Sequence, residues 1–262
     1  MVRPLAAFAP SPRLRGEGRG EGLGLTTRVL YRDGLVLVID KPAGVAVHPG
    51  PGGGPDLESQ FHMLRFGLPH PPALAHRLDR DTSGCLVLGR HPKALRRLGR
   101  LFAEGKVEKV YWAVVDGCPP QDQGRIETGL KKLNHAGGWR IVIDPTGQHA
   151  VTDYRVLGVA QGRAWLELRP RTGRTHQIRV PCAALGCPVA GDPVYGRAGG
   201  GRAGAGRAGG NAPLQLLARA IWLPLYPARP PIAASAPVPP HMLAALARLG
   251  YDPVSGTGME RG

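Results

Sequence analysis

Glu108-Lys109-Val110-Tyr111-Trp112-Ala113-Val114-Val115 sets Val110, Trp112 and Val114 alternately against Tyr111, Ala113 and Val115. A period of two is the strand period, so successive side chains leave this segment on opposite faces of a sheet. Further strands are predicted downstream at Arg140–Ile143, Ala150–Val159 and Ala164–Leu168. Upstream, Val29-Leu30-Tyr31 and Leu35-Val36-Leu37-Val38-Ile39 read as two strands joined by the turn Arg32-Asp33-Gly34, and Cys85-Leu86-Val87-Leu88 as a short buried strand. Helical spacing appears at Leu57–Phe66, Pro92–Phe102, Thr175–Leu185 and Pro240–Leu249. On Pro92–Phe102, Leu95, Leu98, Leu101 and Phe102 share one face, and Arg96, Arg97 and Arg100 lie opposite. Leu214–Leu225 is again apolar. Runs of strands broken by a few helices, without strict strand–helix alternation, predict an α+β fold. Its centre is expected to be a mixed, mostly antiparallel β-sheet flanked by helices.

The chain of 262 residues is long enough to bury a core without disulfides or metals. Its formal charge of +15 does not follow from folding needs and points to an anionic partner, most simply nucleic acid. Of the 34 basic side chains 28 are Arg, which suits bidentate contacts to phosphate and base edges. Much of that Arg preference also fits a GC-rich genome. The four cysteines (Cys85, Cys118, Cys182 and Cys187) show no metal-binding spacing, so no metal site is expected, and a reduced, cytoplasmic setting is the simplest reading. No apolar run of about 18 residues occurs, so no membrane-spanning helix is expected. Residues 1–25 read as a disordered basic arm, 26–250 as one catalytic domain with a flexible Gly/Ala/Arg insertion at 197–212, and 251–262 as a flexible tail. Nothing in the chain demands a partner subunit, and a monomer is expected.

Three segments carry chemistry. His76-Arg77-Leu78-Asp79-Arg80-Asp81-Thr82-Ser83-Gly84 places a carboxylate between two arginines at the edge of a buried strand. That setting suits a nucleophile whose substrate carries phosphates, and equally a structural ion pair. Arg171-Thr172-Gly173-Arg174-Thr175-His176-Gln177-Ile178-Arg179-Val180 leaves a predicted strand and opens a predicted helix. Thr175 as N-cap would present free N–H groups to a phosphate, with Arg171, Arg174 and Arg179 adding charge. A solvated basic loop fits the same pattern. Tyr111 is either a half-buried strand tyrosine or an aromatic ring that stacks on a base.

In this order and spacing the segments resemble the RluA-type RNA pseudouridine synthases. Val29-Leu30-Tyr31 through Lys41-Pro42-Ala43-Gly44-Val45 and His48-Pro49 resembles the family's first motif, His76–Gly84 its catalytic motif and Lys109–Ala113 its tyrosine motif. Arg171–Val180, followed by Leu185-Gly186-Cys187-Pro188-Val189-Ala190-Gly191-Asp192-Pro193-Val194-Tyr195-Gly196, resembles the third. The resemblance covers about Thr26 to Leu225. It implies an RNA uridine isomerase without cofactor, acting on ribosomal or transfer RNA, with Asp79 as the catalytic aspartate, Tyr111 as the active-site tyrosine and Arg179 as the basic partner of the aspartate. Arg77, Arg80, Arg171, Arg174 and His176 would meet the RNA. Two positions depart from the family pattern: Pro181 and Leu217 each stand where a His is usual. Proline has no N–H, so the helix near Gln177 is expected to kink or start late. Two rival readings accompany this one: a catalytically silent RNA-binding protein of the same fold, and a metal-dependent nuclease using Asp79, Asp81 and Asp192.

Overall fold

The computed structural model describes residues 24–49, 54–135, 138–196 and 212–253. The expected arm, insertion and tail lie outside these residues apart from their inner edges. At the first of those edges Leu25 is fully buried in a 3₁₀ helix, Leu25–Arg28.

Strands β1 (Val29–Arg32) and β2 (Val36–Lys41) form the predicted hairpin. Its turn is held by Asp33, whose Oδ1 accepts the N–H groups of Leu35 and Val36, both at 2.8 Å. A 3₁₀ helix, Glu58–Leu64, stands where an α-helix over Leu57–Phe66 is predicted. Then follow β3 (Ala73–Leu74), β4 (Ser83–Gly89), α1 (Pro92–Ala103) and β5 (Glu108–Asp116). The middle of the chain supplies β6 (Gln123–His135), β7 (Gly138–Ile143), β8 (Gln148–Ala160) and β9 (Arg163–Pro170). The rest is α2 (Arg179–Ala184), β10 (Leu216–Leu223), β11 (Ile232–Ser235) and α3 (Pro240–Arg248).

These eleven strands make one sheet, in the order β1-β2-β4-β10-β5-β9-β8-β6-β7, with β11 on β10 and β3 on β4. Among the described strands only β4 and β10 pair parallel. The sheet is thus mixed and mostly antiparallel, as expected. On one face Trp112, Trp165, Val87, Leu98 and Leu246 join the largest apolar cluster, and Trp112 meets Trp165 edge to face at 4.8 Å. Tyr111 points the other way, toward Leu168, Ala218 and Leu78. Cys85, Cys182 and Cys187 are buried.

Two elements differ from expectation. The long strand β6 is not predicted. Its outer half, Lys131 to His135, is exposed and held mainly by ladder bonds to β7, whereas its inner half pairs with β8. The helix predicted over Thr175–Leu185 begins only at Arg179, with Ile178 at its cap and no side-chain capping bond. Gln177 prevents an earlier start. Its Oε1 accepts the Arg174 N–H and the Thr172 hydroxyl, while its Nε2 donates to Val151 O and Thr152 Oγ1. His176 moreover sits at φ +52°, outside any right-handed helix. Pro181 then falls in the first turn of α2, where no backbone N–H is needed.

Candidate active site

The loop that carries Asp79 enters β4 and is shaped from below. Lys41 ends β2 fully buried, and its ammonium donates to the carbonyls of Pro42 (2.8 Å), Arg80 (2.8 Å) and Thr82 (2.9 Å). One cation thus gathers backbone from two segments. Burial pulls its pKa down to about 8, against the pull of Asp81, Asp79 and Asp40. The Thr82 N–H closes a turn onto Asp79 O at 3.2 Å.

Upstream, His76 stacks on Phe102 (4.6 Å) and its Nε2 accepts the Val87 N–H at 3.0 Å. Burial, and then the Lys109 charge, push the His76 pKa from 6.5 to about 4. A folded-state value below the unfolded one means that the unfolded chain binds more protons between pH 4 and 6.5. His76 therefore stabilises the fold fully above pH 6.5, and that contribution is lost as pH falls toward 4. His76→Gln can keep the hydrogen bond without titrating. Its urea midpoint is expected to vary less with pH across this window than the wild-type midpoint. Parallel curves for the two proteins would disprove the assignment.

Gly84 sets the loop against Tyr111. At φ +106° it takes a conformation that side chains rarely adopt, and a Cβ there would run into the Ala218 carbonyl. Ala218 pairs with Gly84 on one side and with Tyr111 on the other. The missing side chain lets β10 close against β4, which brings the Asp79 loop beside β5. Tyr111 feels the result. Burial pushes its phenol above the usual range, and the Asp79 charge adds to the effect.

Arg179 and His176 supply the other wall. The Arg179 guanidinium is buried and binds Asp192 by two 2.8 Å hydrogen bonds, from Nε and Nη2. Its Nη1 faces Asp79 Oδ2 at 3.4 Å. Burial opposes the Arg179 charge, but the bonds to Asp192 more than offset this and hold the pKa above its ordinary range. Asp192 is fixed in turn by the N–H groups of Val194 (2.9 Å) and Tyr195 (3.0 Å). His176 Nε2 lies 3.7 Å from Asp79 Oδ2, and its Nδ1 shares a 2.7 Å hydrogen bond with the Tyr195 hydroxyl. Burial lowers the His176 pKa, against the pull of the Asp79 charge.

Of the residues singled out from sequence, Asp79, Tyr111, Arg179 and His176 converge here. The other basic candidates do not touch Asp79. Arg77 is exposed, and Arg80 turns away to donate to Gly44 O at 3.1 Å. Arg171 pairs with Asp153 at 2.7 Å, and Arg174 donates to His149 O at 3.2 Å. The arginines flanking Asp79 in sequence are therefore not its partners in space. Nor is Thr175 an N-cap, so no helix terminus offers its N–H groups to a phosphate there. Tyr195 and Lys41 complete the site without having been picked out as site residues from the sequence, and Asp192, named there only as a metal ligand of the nuclease reading, is instead the partner of Arg179. The signal that could have found Asp192 is a carboxylate within an apolar stretch, Val189–Val194, because a buried charge needs an opposite partner. Among the described residues no group of three or more His, Cys, Asp or Glu side chains is arranged to hold a metal.

The chain shares 46% identity over 160 residues with an uncharacterized RNA pseudouridine synthase of Zymomonas mobilis, covering 61% of this chain and 73% of that one. The ribosomal large subunit pseudouridine synthase D of the same organism is 33% identical over 193 residues, covering 71% of this chain and 61% of the relative. The solved structure of human RNA pseudouridylate synthase domain containing 4 superposes with a TM-score of 0.70 at 28% identity, covering 86% of this chain and 94% of that one. The family model described as RNA pseudouridylate synthase matches residues 35–184, a span that opens in the β1–β2 hairpin and closes on α2. With its Asp79 loop, Tyr111 strand and Arg179 helix all inside that span, the chain belongs to the RNA pseudouridylate synthase family.

Proposed function

We propose that this protein isomerises particular uridines of ribosomal or transfer RNA to pseudouridine, with Asp79 as the catalytic carboxylate. The observation that carries this reading is the Arg179 guanidinium, clamped by Asp192 and presenting its remaining nitrogen to Asp79 beside Tyr111. The reaction breaks N1–C1′, turns the uracil and forms C5–C1′, with no change of oxidation state. Ordinary glycoside hydrolysis needs a second carboxyl group to protonate the leaving group. Uracil can leave as a delocalised anion, so one carboxylate suffices. Asp79 either attacks C1′ or removes the C2′ proton, and Arg179 orients it for both. Tyr111 packs against the uracil. It is also the candidate base for the C5 proton, a role that burial and the Asp79 charge oppose by pushing the phenol above its usual range. The uridine must leave its stack to enter, at a cost of a few kcal/mol that is least in a loop. Phosphate contacts by surface arginines offset that cost and make binding fall steeply with salt.

The relative named for the ribosomal large subunit makes ribosomal RNA the first substrate to test. The full chain is incubated with ribosomal and transfer RNA tritiated at uridine C5. Isomerisation exchanges that hydrogen with water, so tritium release without strand cleavage is expected. Bound RNA with no release from either pool would leave the silent RNA-binding protein as the better account.

A further inference from the structure

One aromatic side chain beside the site has no place in the mechanism. Trp139 lies on β7, paired with Asn134 of β6, and is 43% exposed, whereas Trp112 and Trp165 are buried in the core. Its ring stacks on His176 with centroids 5.3 Å apart and planes inclined by 27°. His176 is itself 3.7 Å from Asp79, so a single imidazole separates the indole from the carboxylate. The Lys132 ammonium lies 4.8 Å from the centre of the indole ring.

The arm that carries Trp139 is anchored. Leu130 and Ile141 pack with Val180 of α2. The Tyr195 hydroxyl accepts the Ile141 N–H at 3.0 Å while also bonding His176. The same tyrosine is thus tied to β7, to His176 and, through its own N–H, to Asp192. An indole held this firmly loses little freedom on meeting a ligand, and preorganisation of that kind favours binding.

We propose that Trp139 is a stacking platform for the base next to the target uridine, with Lys132 meeting the adjoining phosphate. The inference rests on the RNA reading above and adds a determinant of which uridines are accepted. A uridine drawn toward Asp79 leaves its neighbour one phosphate away, within reach of a ring just beyond His176. Aromatic faces take any base, because every base has a π face, and the Lys132 ammonium, which lies over the ring, can swing off the face it covers to meet the phosphodiester. The positive charge of the chain favours a nucleic acid over a peptide as the occupant.

The test uses two short single strands that share one central uridine and the same number of phosphates. In one, the nucleotides on either side of the uridine lack their bases. Wild type is expected to bind the intact strand roughly 10- to 100-fold more tightly, the range for one stacked base. Trp139→Ala is expected to bind both strands alike, at the level of wild type on the abasic strand, and Trp139→Phe to keep part of the preference. The dependence of log Kd on log salt should not change, because no phosphate contact is lost. A wild-type preference retained by Trp139→Ala would overturn the proposal. So would an equal loss on both strands, which would make Trp139 a structural residue. If the isomerase reading fails instead, wild type releases no tritium from C5-labelled RNA whatever the binding result. If only the present inference fails, tritium release persists while the strand preference ignores residue 139.

Discussion

Asp79→Asn is expected to abolish tritium release, by at least about four orders of magnitude in turnover, while the protein stays folded and binds RNA as before or slightly more tightly. The loss should be that large because an amide can neither attack C1′ nor accept the C2′ proton, and removing the reacting group of an enzyme costs on this scale. The fold should survive because little of it rests on the Asp79 side chain. That side chain is 20% exposed, and its contacts to Arg179 and His176 are long, at 3.4 and 3.7 Å. Arg179 keeps Asp192 in the variant, so no buried cation is stranded. Binding should survive because the surface arginines are untouched and one negative charge is gone. Measuring turnover, the urea midpoint and RNA affinity on one preparation separates these statements. A variant that still releases tritium at the wild-type rate would end the catalytic assignment. A variant that unfolds would show that the carboxylate is structural.

The second large effect lies one residue further back. Asp192→Asn should lower stability by about 3–5 kcal/mol, the usual result of stripping one partner from a buried ion pair. The Asp192 side chain has no exposed surface, takes both nearer nitrogens of Arg179, and accepts two backbone N–H groups besides. An asparagine amide would turn a donor toward a guanidinium that has only donors. Native stabilities of about 5–15 kcal/mol leave the variant close to unfolding at ambient temperature. Whatever remains folded should turn over slowly, because Arg179 is no longer aimed at Asp79. The double variant Arg179→Met, Asp192→Asn, whose amide oxygen still accepts the Val194 and Tyr195 N–H groups, separates the two roles. It removes the buried charges together, so the urea midpoint should recover while turnover does not. Full activity in the double variant would mean that the guanidinium serves only the fold.

The sheet was legible because its strands obey a local rule. Val110, Trp112 and Val114 face one cluster and Tyr111 the other, as a period of two requires. Asp79, Tyr111 and Arg179 were readable as a set only through their resemblance to known motifs, since each alone fits a bland structural role. What stayed hidden depends on long-range contacts. The residue that faces Asp79 is Arg179, a hundred positions away, and neither Arg77 nor Arg80 beside it. The late start of α2 has its cause in Gln177, a polar side chain used as a loop clamp, which no helical periodicity reveals. Strand β6 is missed because its outer half has no buried face, so the alternation that marks a strand is absent from Lys131 to His135.

The position of β10 has a consequence for the order in which the molecule can assemble. The strands that present Asp79 and Tyr111, β4 and β5, are neighbours in sequence but not in the sheet, because Leu216–Leu223 is inserted between them. During synthesis both strands leave the ribosome well before the segment that joins them. Until then each shows an unsatisfied edge to the cell, a condition that invites wrong pairing between chains. Competence for chemistry therefore arrives as one late event, when Leu216–Leu223 slides into a slot already waiting for it.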